Sequence, residues 1–193
     1  MTSQLEKKIK SFSSQNIIDA MSFLGWDQTM IHGPRPLFKG KKIFGEAVTL
    51  RFVHFRKDLL QDLPKKDESA EYKAFELCGP GKVLVASSIG PWESIGGDIK
   101  FLRLFQKKAA GIVTDGSVRD SKALEKYNFP VFAHSFTSKQ GPGIMLPISV
   151  NDNINCGGIL VRPGDYILGD DDGVVVFPKI LANEIITITE ERE

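Results

Sequence analysis

The spacing of apolar residues along the chain predicts two long helices and three shorter ones. In segment 13–26, SSQNIIDAMSFLGW, apolar residues recur every three or four positions, and Ser13 or Ser14 can cap the helix that this spacing predicts. Segment 98–111, DIKFLRLFQKKAAG, shows the same spacing on one face, and Gly111 should end that helix. The shorter predicted helices are EYKAFELCG (71–79), SKALEKYN (121–128) and an amphipathic tail (179–193).

Short runs rich in β-branched and aromatic residues alternate with these helices and predict strands. Segment 138–157 is rich in Gly, Pro and Asn and predicts a loop. In segment 157–178, the turns RPGD and GDDDG separate three short β runs, which is typical of a meander. Strands that alternate with helices and are followed by a meander predict a mixed α/β or α+β layer fold. The other predicted strands are GEAVTLRFVHF (45–55), KVLVASS (82–88), IVTD (112–115) and PVFAHSF (130–136).

Composition indicates one globular domain and argues against several classes of partner. The 193 residues are 41% hydrophobic, and 25 basic against 24 acidic residues leave a net charge of +1, so no nucleic-acid partner is expected. No apolar run is long enough to span a membrane, and the polar start lacks the apolar core of a signal peptide, so we expect a cytoplasmic protein. Cys78 and Cys156 have no metal-ligand spacing, so neither a disulfide framework nor a structural zinc is expected.

Two segments place charged residues where a strand ends or a helix begins. In IGGDI (95–99), Asp98 follows two glycines at the start of a predicted helix, and in TDGSVRDS (114–121), Arg119 and Asp120 follow a predicted strand. Two simple structural interpretations exist: Asp98 caps its helix, and Arg119 with Asp120 forms a salt-bridged surface turn. If IVTD instead runs parallel to KVLVASS, both segments lie at the same edge of the sheet.

That edge would carry groups suited to a 2-oxo acid. An open helix N-terminus and the Arg119 guanidinium could bind a carboxylate, and the carboxylates of Asp98 and Asp120 are hard oxygen ligands for Mg²⁺ or a similar ion. A 2-oxo acid can chelate such a metal through its carboxylate and keto oxygens, and metal binding at the keto oxygen would stabilise an enolate.

The pattern of Asp98, twenty intervening residues and then Arg119-Asp120 resembles the D-x20-R-D signature of pyruvate aldolases related to regulator of ribonuclease activity A. That group includes the 4-hydroxy-4-methyl-2-oxoglutarate/4-carboxy-4-hydroxy-2-oxoadipate aldolases. The resemblance covers roughly residues 15–180. Blocks similar to those of the family occur in the family's order: IIDAM, GEAVTL, AAGIVTDGSVRD, PVFAHSF with QGPG, and the long block from GGILV to VVVFP.

This resemblance implies a compact α/β/β/α sandwich of the swivelling phosphohistidine-domain type, formed by residues 1–193 as a single domain. It also implies assembly as homotrimers or pairs of trimers (hexamers), with active sites at the subunit interfaces. By the resemblance, Asp120 contacts a divalent cation, Mg²⁺ or Mn²⁺, and Arg119 binds pyruvate and its enolate. Asp98 holds metal-bound water near the backbone donors that begin the following helix, a set that comprises Gly97, Asp98, Ile99 and Lys100.

The activity that the resemblance implies is that of a divalent-metal-dependent lyase, by retro-aldol cleavage of a 4-hydroxy-2-oxo acid, by decarboxylation of oxaloacetate, or by both, through a metal-stabilised pyruvate enolate. The chain departs from the aldolase pattern at Ala123, where the aldolases usually carry an acidic residue. This departure affects aldol cleavage more than decarboxylation, because decarboxylation needs mainly the metal and the groups that bind the substrate carboxylate.

The alternative is a non-enzymatic regulator that binds a protein partner such as a ribonuclease. The regulators share the fold and the Arg-Asp pair but lack the preceding acidic residue, so Asp98 favours the enzyme. A menaquinone methyltransferase is not supported, because no glycine-rich cofactor loop follows the first strand.

Overall fold

A computed structural model describes residues 4–65 and 68–192. Its helices are α1 (Gln4–Ser11), α2 (Ser14–Phe23), α3 (Lys57–Asp62), α4 (Ala70–Leu77), α5 (Asp98–Gln106), α6 (Ser121–Tyr127) and α7 (Ala182–Arg192). Its strands are β1 (Arg35–Pro36), β2 (Ile43–His54), β3 (Lys82–Ser87), β4 (Gly111–Thr114), β5 (Val131–Ala133), β6 (Met145–Val150), β7 (Ile154–Cys156), β8 (Ile159–Val161), β9 (Tyr166–Asp170) and β10 (Gly173–Phe177). Within these residues, no helix has the length and apolar character that crossing a membrane requires.

The main sheet has the strand order β1-β5-β4-β3-β2-β9-β10, and β6 pairs with the second half of β2. Strands β2, β3, β4 and β5 run parallel to one another, whereas β1, β6, β9 and β10 pair antiparallel with their neighbours. A register shift between Arg51 and Phe52 lies where β2 pairs with β6. Because β3 and β4 are parallel, the loops that follow them leave the sheet at the same edge, as the sequence predicts.

Three apolar clusters divide the molecule into layers. One cluster joins α1, α2 and α7 to β9 and β10, a second joins α4, α5 and α6 to the parallel strands, and a third fills the space between the two parts of the curled sheet. The order helix, sheet, sheet, helix confirms the predicted α/β/β/α sandwich.

Successive side chains of a strand point alternately into two of these layers. In β9, Tyr166 and Leu168 belong to the cluster under α1, α2 and α7, whereas Ile167 belongs to the inner cluster. In β3, Val83 belongs to the inner cluster and Leu84 to the cluster under α4, α5 and α6. Since burying such a side chain stabilises the fold by about 1.5–3 kcal/mol, a one-residue slip of either strand would be costly.

The predicted helices over 13–26, 71–79 and 121–128 are confirmed. Ser13 caps α2 through a capping box with Asn16. The tail helix is confirmed as α7 after a 3-10 turn at Lys179–Leu181, although residue 193 lies outside the described residues.

The predicted end of the helix over 98–111 is wrong. Helix α5 ends at Gln106, and Lys108 adopts a left-handed backbone with φ of 58°. Gly111 is the first residue of β4, not the end of the helix. The helix therefore ends through a lysine in a conformation that glycine adopts more readily.

Two further predictions near the C-terminal end are wrong. The predicted loop 138–157 contains strands β6 and β7, because tertiary pairing with β2 and β8 overrides its Gly, Pro and Asn content. The predicted meander is correct for the β9–β10 hairpin, but β8 pairs with β7 in a separate two-stranded sheet. Helices α1 and α3 were not expected from the sequence pattern.

Candidate active site

The loop between β3 and α5 lies against the segment that follows β4. The N–H of Ser117 donates to the carbonyl of Glu93 at 2.9 Å, and the N–H of Ile95 donates to the carbonyl of Ser117 at 3.0 Å. The N–H of Arg119 donates to the carbonyl of Gly96 at 2.9 Å. This short parallel pairing brings the start of α5 next to Arg119.

A hydrogen bond joins the two candidate carboxylate residues. The backbone N–H of Asp98 donates to Oδ2 of Asp120 at 3.1 Å, and Oδ1 of Asp98 accepts from the N–H of Ile99 at 2.6 Å. The N-cap of α5 is Gly97, so the interpretation of Asp98 as the N-cap is wrong by one position. Two N–H groups at the start of α5 are thus engaged by carboxylates, and this helix N-terminus is not open at those donors.

Gly97 makes room for the Asp120 carboxylate. A Cβ at position 97 would overlap with Oδ2 of Asp120, and it would lie 3.0 Å from Cγ of Asp120 and 3.2 Å from Cβ of Arg119. Its φ of −150° is accessible to any residue, so glycine is needed here for space and not for backbone conformation. Any larger residue at position 97 would displace the carboxylate.

Asp120 itself has a left-handed backbone, with φ of 63° and ψ of 46°. It is the N-cap residue of α6, but its side chain makes no capping hydrogen bond to that helix. Aspartate tolerates this conformation at some cost in backbone strain. The result is that its carboxylate points towards α5 instead of capping α6.

Arg119 is half-buried, and its guanidinium forms no hydrogen bond or ion pair with any residue in the described parts of the chain. The interpretation of Arg119 and Asp120 as a salt-bridged surface turn is therefore wrong. Arg119 instead lines an open cavity of about 690 Å³. The other lining residues are Asp98, Asp120, Ser121, Lys122, Ala123, Phe136, Thr137 and Ser138.

The structure brings together three of the residues singled out in the sequence, since Asp98, Arg119 and Asp120 all line this cavity. Gly97 is not a lining residue, but its lack of a side chain leaves the space that the Asp120 carboxylate occupies. Ile99 and Lys100 are not among the lining residues: the Ile99 side chain is 83% exposed, and Nζ of Lys100 pairs with Oε1 of Glu71 at 2.6 Å.

Five lining residues were not singled out in the sequence: Ser121, Lys122, Phe136, Thr137 and Ser138. Phe136 pairs in parallel with Val118, which extends the pairing of β4 with β5 beyond the strand ends. The sequence pattern could have identified them, because a strand that is parallel to its neighbour places the residues that follow it at the same edge of the sheet. Segment 130–139, PVFAHSFTSK, contains β5 and the residues that follow it.

Oxygen ligands for a hard divalent cation are present, but few. Within the described parts of the chain, no group of three or more His, Cys, Asp or Glu side chains could hold a metal ion. Oδ1 of Asp120 and Oδ2 of Asp98 accept no hydrogen bond from the described residues. Two such oxygens fit Mg²⁺ or Mn²⁺ held weakly, with water filling most of the coordination shell.

A buried carboxylate supports this edge of the sheet. Asp115 follows β4, and its side chain accepts from the N–H of Ser88 at 2.7 Å and from the N–H of Gly157 at 2.8 Å. Burial raises the pKa of Asp115, and the two backbone hydrogen bonds oppose that rise. Asp115 thus links the ends of β3 and β4 to the β7–β8 turn. Arg119 and Asp120, which follow it in the chain, line the cavity.

Comparison with known proteins places the chain in a family. The family model for RraA-like proteins, described as aldolase/RraA, matches residues 14–176. An uncharacterized protein of Methanocaldococcus jannaschii is 31% identical over 182 residues, which cover 92% of this chain and 78% of that protein.

Several relatives carry the name of an enzyme. A Halalkalibacterium halodurans protein, provisionally named 4-hydroxy-4-methyl-2-oxoglutarate aldolase, is 34% identical over 150 residues, covering 75% of this chain and 64% of its own length. A Thermus thermophilus protein named 4-hydroxy-4-methyl-2-oxoglutarate aldolase is 30% identical over 121 residues, covering 59% of this chain and 70% of its own.

A solved structure shows the same fold. The crystal structure of Streptomyces coelicolor RraAS2, described as an unusual member of the RNase ES inhibitor RraA protein family, superimposes with a TM-score of 0.89 at 29% identity. The superposition covers 98% of this chain and 92% of that one. The agreement therefore extends over nearly the whole chain.

Proposed function

Because this chain belongs to the RraA-like (aldolase/RraA) family, we propose that it is a lyase that breaks the C3–C4 bond of a small 2-oxo acid, between the carbons α and β to its keto group. The substrate would be oxaloacetate, a 4-hydroxy-2-oxo acid, or both. The relatives named as aldolases support this class of reaction.

One observation carries the proposal: an unpaired guanidinium and two linked carboxylates line the same cavity. The Arg119 side chain has no partner among the described residues, and Asp98 and Asp120 are joined by the 3.1 Å hydrogen bond from the Asp98 N–H. Because the half-buried guanidinium has no partner among the described residues, its donors remain available to an anion in the cavity.

Arg119 would act at two stages. Its planar fork can bind the substrate carboxylate through two parallel hydrogen bonds. When the C3–C4 bond of oxaloacetate breaks, carbon dioxide leaves and the electron pair moves into an enolate, whose negative charge Arg119 offsets. A proton then adds to C3 and yields pyruvate. In retro-aldol cleavage, the 4-hydroxyl gives its proton to solvent water, C4 leaves as a carbonyl group, and the electron pair of the C3–C4 bond again forms the enolate of pyruvate.

Asp120 and Asp98 would hold the divalent cation and its water shell. A bound Mg²⁺ or Mn²⁺ would supply Lewis acidity at the keto oxygen of the substrate. The left-handed backbone of Asp120 and the missing side chain at Gly97 keep the two carboxylates adjacent. Asp98 also fixes the first turn of α5 through its own bond to Ile99.

Ala123 bears on which reaction is favoured. It lines the cavity in the first turn of α6, where the aldolase pattern has a carboxylate. A methyl group cannot accept a proton or orient water. Decarboxylation needs no base for a substrate hydroxyl, so we propose that oxaloacetate decarboxylation is faster than aldol cleavage.

The test is an assay of the purified protein with Mg²⁺ or Mn²⁺ against oxaloacetate and a panel of 4-hydroxy-2-oxo acids, with pyruvate as the product measured. Metal-dependent release of pyruvate above the rate with metal alone supports the proposal. A rate equal to that of metal alone with every substrate contradicts it.

A regulatory role is the second candidate. It is favoured by the similarity to Streptomyces coelicolor RraAS2, which is described as a member of a family of RNase ES inhibitors. If no substrate is turned over, a purified ribonuclease of the E type should be tested for inhibition.

We further propose that the protein forms a homotrimer or a pair of trimers. The cavity around Arg119 is open to solvent along one side, and a neighbouring subunit could close it. Sedimentation velocity at micromolar concentration tests this assembly, and a stable monomer would exclude a site shared between subunits.

A further inference from the structure

A second large cavity lies at the edge of the sheet opposite to Arg119. Its volume is about 610 Å³, and it is bordered by the residues that precede β3 and β4, whereas Arg119 follows the far end of β4. The two cavities share no lining residue. The lining residues of this second cavity are Glu6, Lys7, Lys10, Phe44, Gly45, Glu46, Pro80, Gly81, Lys82, Lys108 and Ala110.

The cavity carries an excess of positive charge. Lys7, Lys10 and Lys108 form no ion pair or hydrogen bond with any residue in the described ranges 4–65 and 68–192. The charged lining residues are four lysines and two glutamates, Glu6 and Glu46, and the two oxygens of Glu46 already pair with Lys82 and Lys179, each at 2.6 Å. Three unpaired ammonium groups around one concave surface create a positive potential that attracts anions.

The backbone of Lys108 has a conformation that lysine adopts at a cost. Lys108 follows the last turn of α5, where the N–H of Ala109 donates to the carbonyl of Leu104 at 3.0 Å. That pattern requires a left-handed residue, and glycine is the usual choice because it has no Cβ. A lysine with φ of 58° costs about 1 kcal/mol relative to glycine.

A comparison with the other left-handed residues strengthens this point. Among the described residues, the non-glycine positions with positive φ are Lys108, Asp120, Asn128 and Asn151. Asparagine and aspartate are the residue types enriched in this conformation, so Lys108 is the least expected of the four. Lys108 lines the second cavity, and Asp120 lines the candidate active site. Backbone strain of this kind clusters at functional sites.

We propose that this cavity binds a small phosphorylated organic anion through Lys7, Lys10 and Lys108. The lysines are compact point charges, and several of them around one cavity suit the multiple negative charges of a phosphate group. Phe44, Pro80 and Ala110 provide an apolar wall for the organic part of the molecule. The site is separate from the candidate active site and does not depend on the proposed lyase activity.

Inorganic pyrophosphate is the probe for this site, and isothermal titration calorimetry at constant ionic strength is the measurement. A chelator in the buffer prevents a divalent cation from linking pyrophosphate to Asp98 and Asp120. The Lys7→Ala/Lys10→Ala double variant should raise the Kd by roughly tenfold or more. Lys108→Gly should also weaken binding while the melting temperature stays the same or rises, because glycine relieves the backbone strain.

Two control variants separate this site from general electrostatic attraction. Lys126→Ala removes an exposed charge on α6, away from the cavity, and should leave the Kd unchanged. Arg119→Ala removes the anion site proposed in the other cavity, so the loss caused by Lys7→Ala/Lys10→Ala should be the same with and without it. The proposal is overturned if pyrophosphate does not bind, if only Arg119→Ala abolishes binding, or if Lys108→Gly lowers the melting temperature without weakening binding. Equal affinity for citrate would overturn the assignment to phosphate.

Discussion

Asp98 and Asp120 are twenty-two positions apart in the chain, yet the N–H of Asp98 donates to Oδ2 of Asp120 at 3.1 Å. This bond joins the first residue of α5 to the residue that precedes α6. It holds the Asp120 carboxylate against the backbone of Asp98. Because it passes directly over Gly97, the geometry of the site depends on a residue that has no side chain to contribute.

Gly97→Ala should therefore remove activity without unfolding the protein. The new Cβ would displace the Asp120 carboxylate, and a misplacement of about 1 Å can lower a rate by roughly 10²-fold. The measurement is kcat/KM for oxaloacetate, together with circular dichroism. Gly79→Ala is the matched control, because the nearest atom to its Cβ lies 3.9 Å away. Equal losses in both variants would show that the effect of Gly97→Ala is not local.

Asp120→Asn tests the metal site while preserving the backbone. Asparagine tolerates the left-handed conformation and can still accept the hydrogen bond from Asp98, so the change in unfolding free energy should be below about 1 kcal/mol. Activity that depends on Mg²⁺ or Mn²⁺ should be lost, because one of two carboxylate ligands is gone. In the unsubstituted protein, EDTA should abolish activity and added metal should restore it. Full activity in EDTA would contradict metal dependence.

Ala123→Glu should strengthen metal binding and raise aldol cleavage relative to decarboxylation. The substitution supplies a third carboxylate at the cavity, in the position where the aldolase pattern has an acidic residue. Stability should not fall, since a negative charge in the first turn of α6 is favourable to the helix dipole. The ratio of the two rates and the Mn²⁺ concentration for half-maximal activity are the measurements. An unchanged ratio would show that Ala123 does not determine the reaction.

Glu46 should contribute stability that depends on pH. Burial alone would raise its pKa, but hydrogen bonds from Lys179 and Lys82 outweigh burial and lower the pKa below its ordinary value of 4.5. Because the pKa is lower in the folded state, the ion pairs stabilise the protein above pH 4.5, and this contribution is lost as the pH falls through the lowered pKa.

Glu46→Gln should accordingly lower the unfolding free energy at neutral pH by about 1 kcal/mol or less, since both lysines are largely exposed. The difference from the unsubstituted protein should shrink in acid. Urea unfolding at neutral pH and in acid measures this difference in unfolding free energy. Glu184→Gln, at an exposed position of α7, is the control for loss of a charge. A difference that grows in acid would contradict the assignment.

The placement of the site could be predicted from sequence because it depends on local signals. Alternating strands and helices around Asp98 and Arg119 imply parallel strands, and parallel strands bring their following loops to one edge. The structure confirms this arrangement. The sequence does not show that Asp120 turns away from its own helix, because a left-handed aspartate has no compositional signature.

The errors in predicting the fold arise where tertiary contacts or backbone conformation override composition. Strand β6 contains Pro147 and lies in a segment with many turn-forming residues, yet pairing with β2 makes it a strand. Helix α5 ends at Gln106 and not at Gly111, because the left-handed residue that follows the helix is Lys108. Neither feature can be recognised from residue type alone.

The decarboxylation rate of Arg119→Lys tests the proposed function most directly. Lysine keeps the positive charge but loses the planar pair of donors, so kcat/KM for oxaloacetate should fall by roughly 10²-fold or more while the melting temperature changes little. Arg103→Lys is the control, because Arg103 pairs with Glu76 on the outside of α5 and does not line the cavity. A rate for Arg119→Lys equal to those of Arg103→Lys and the unsubstituted protein would contradict the assignment of Arg119 to the active site.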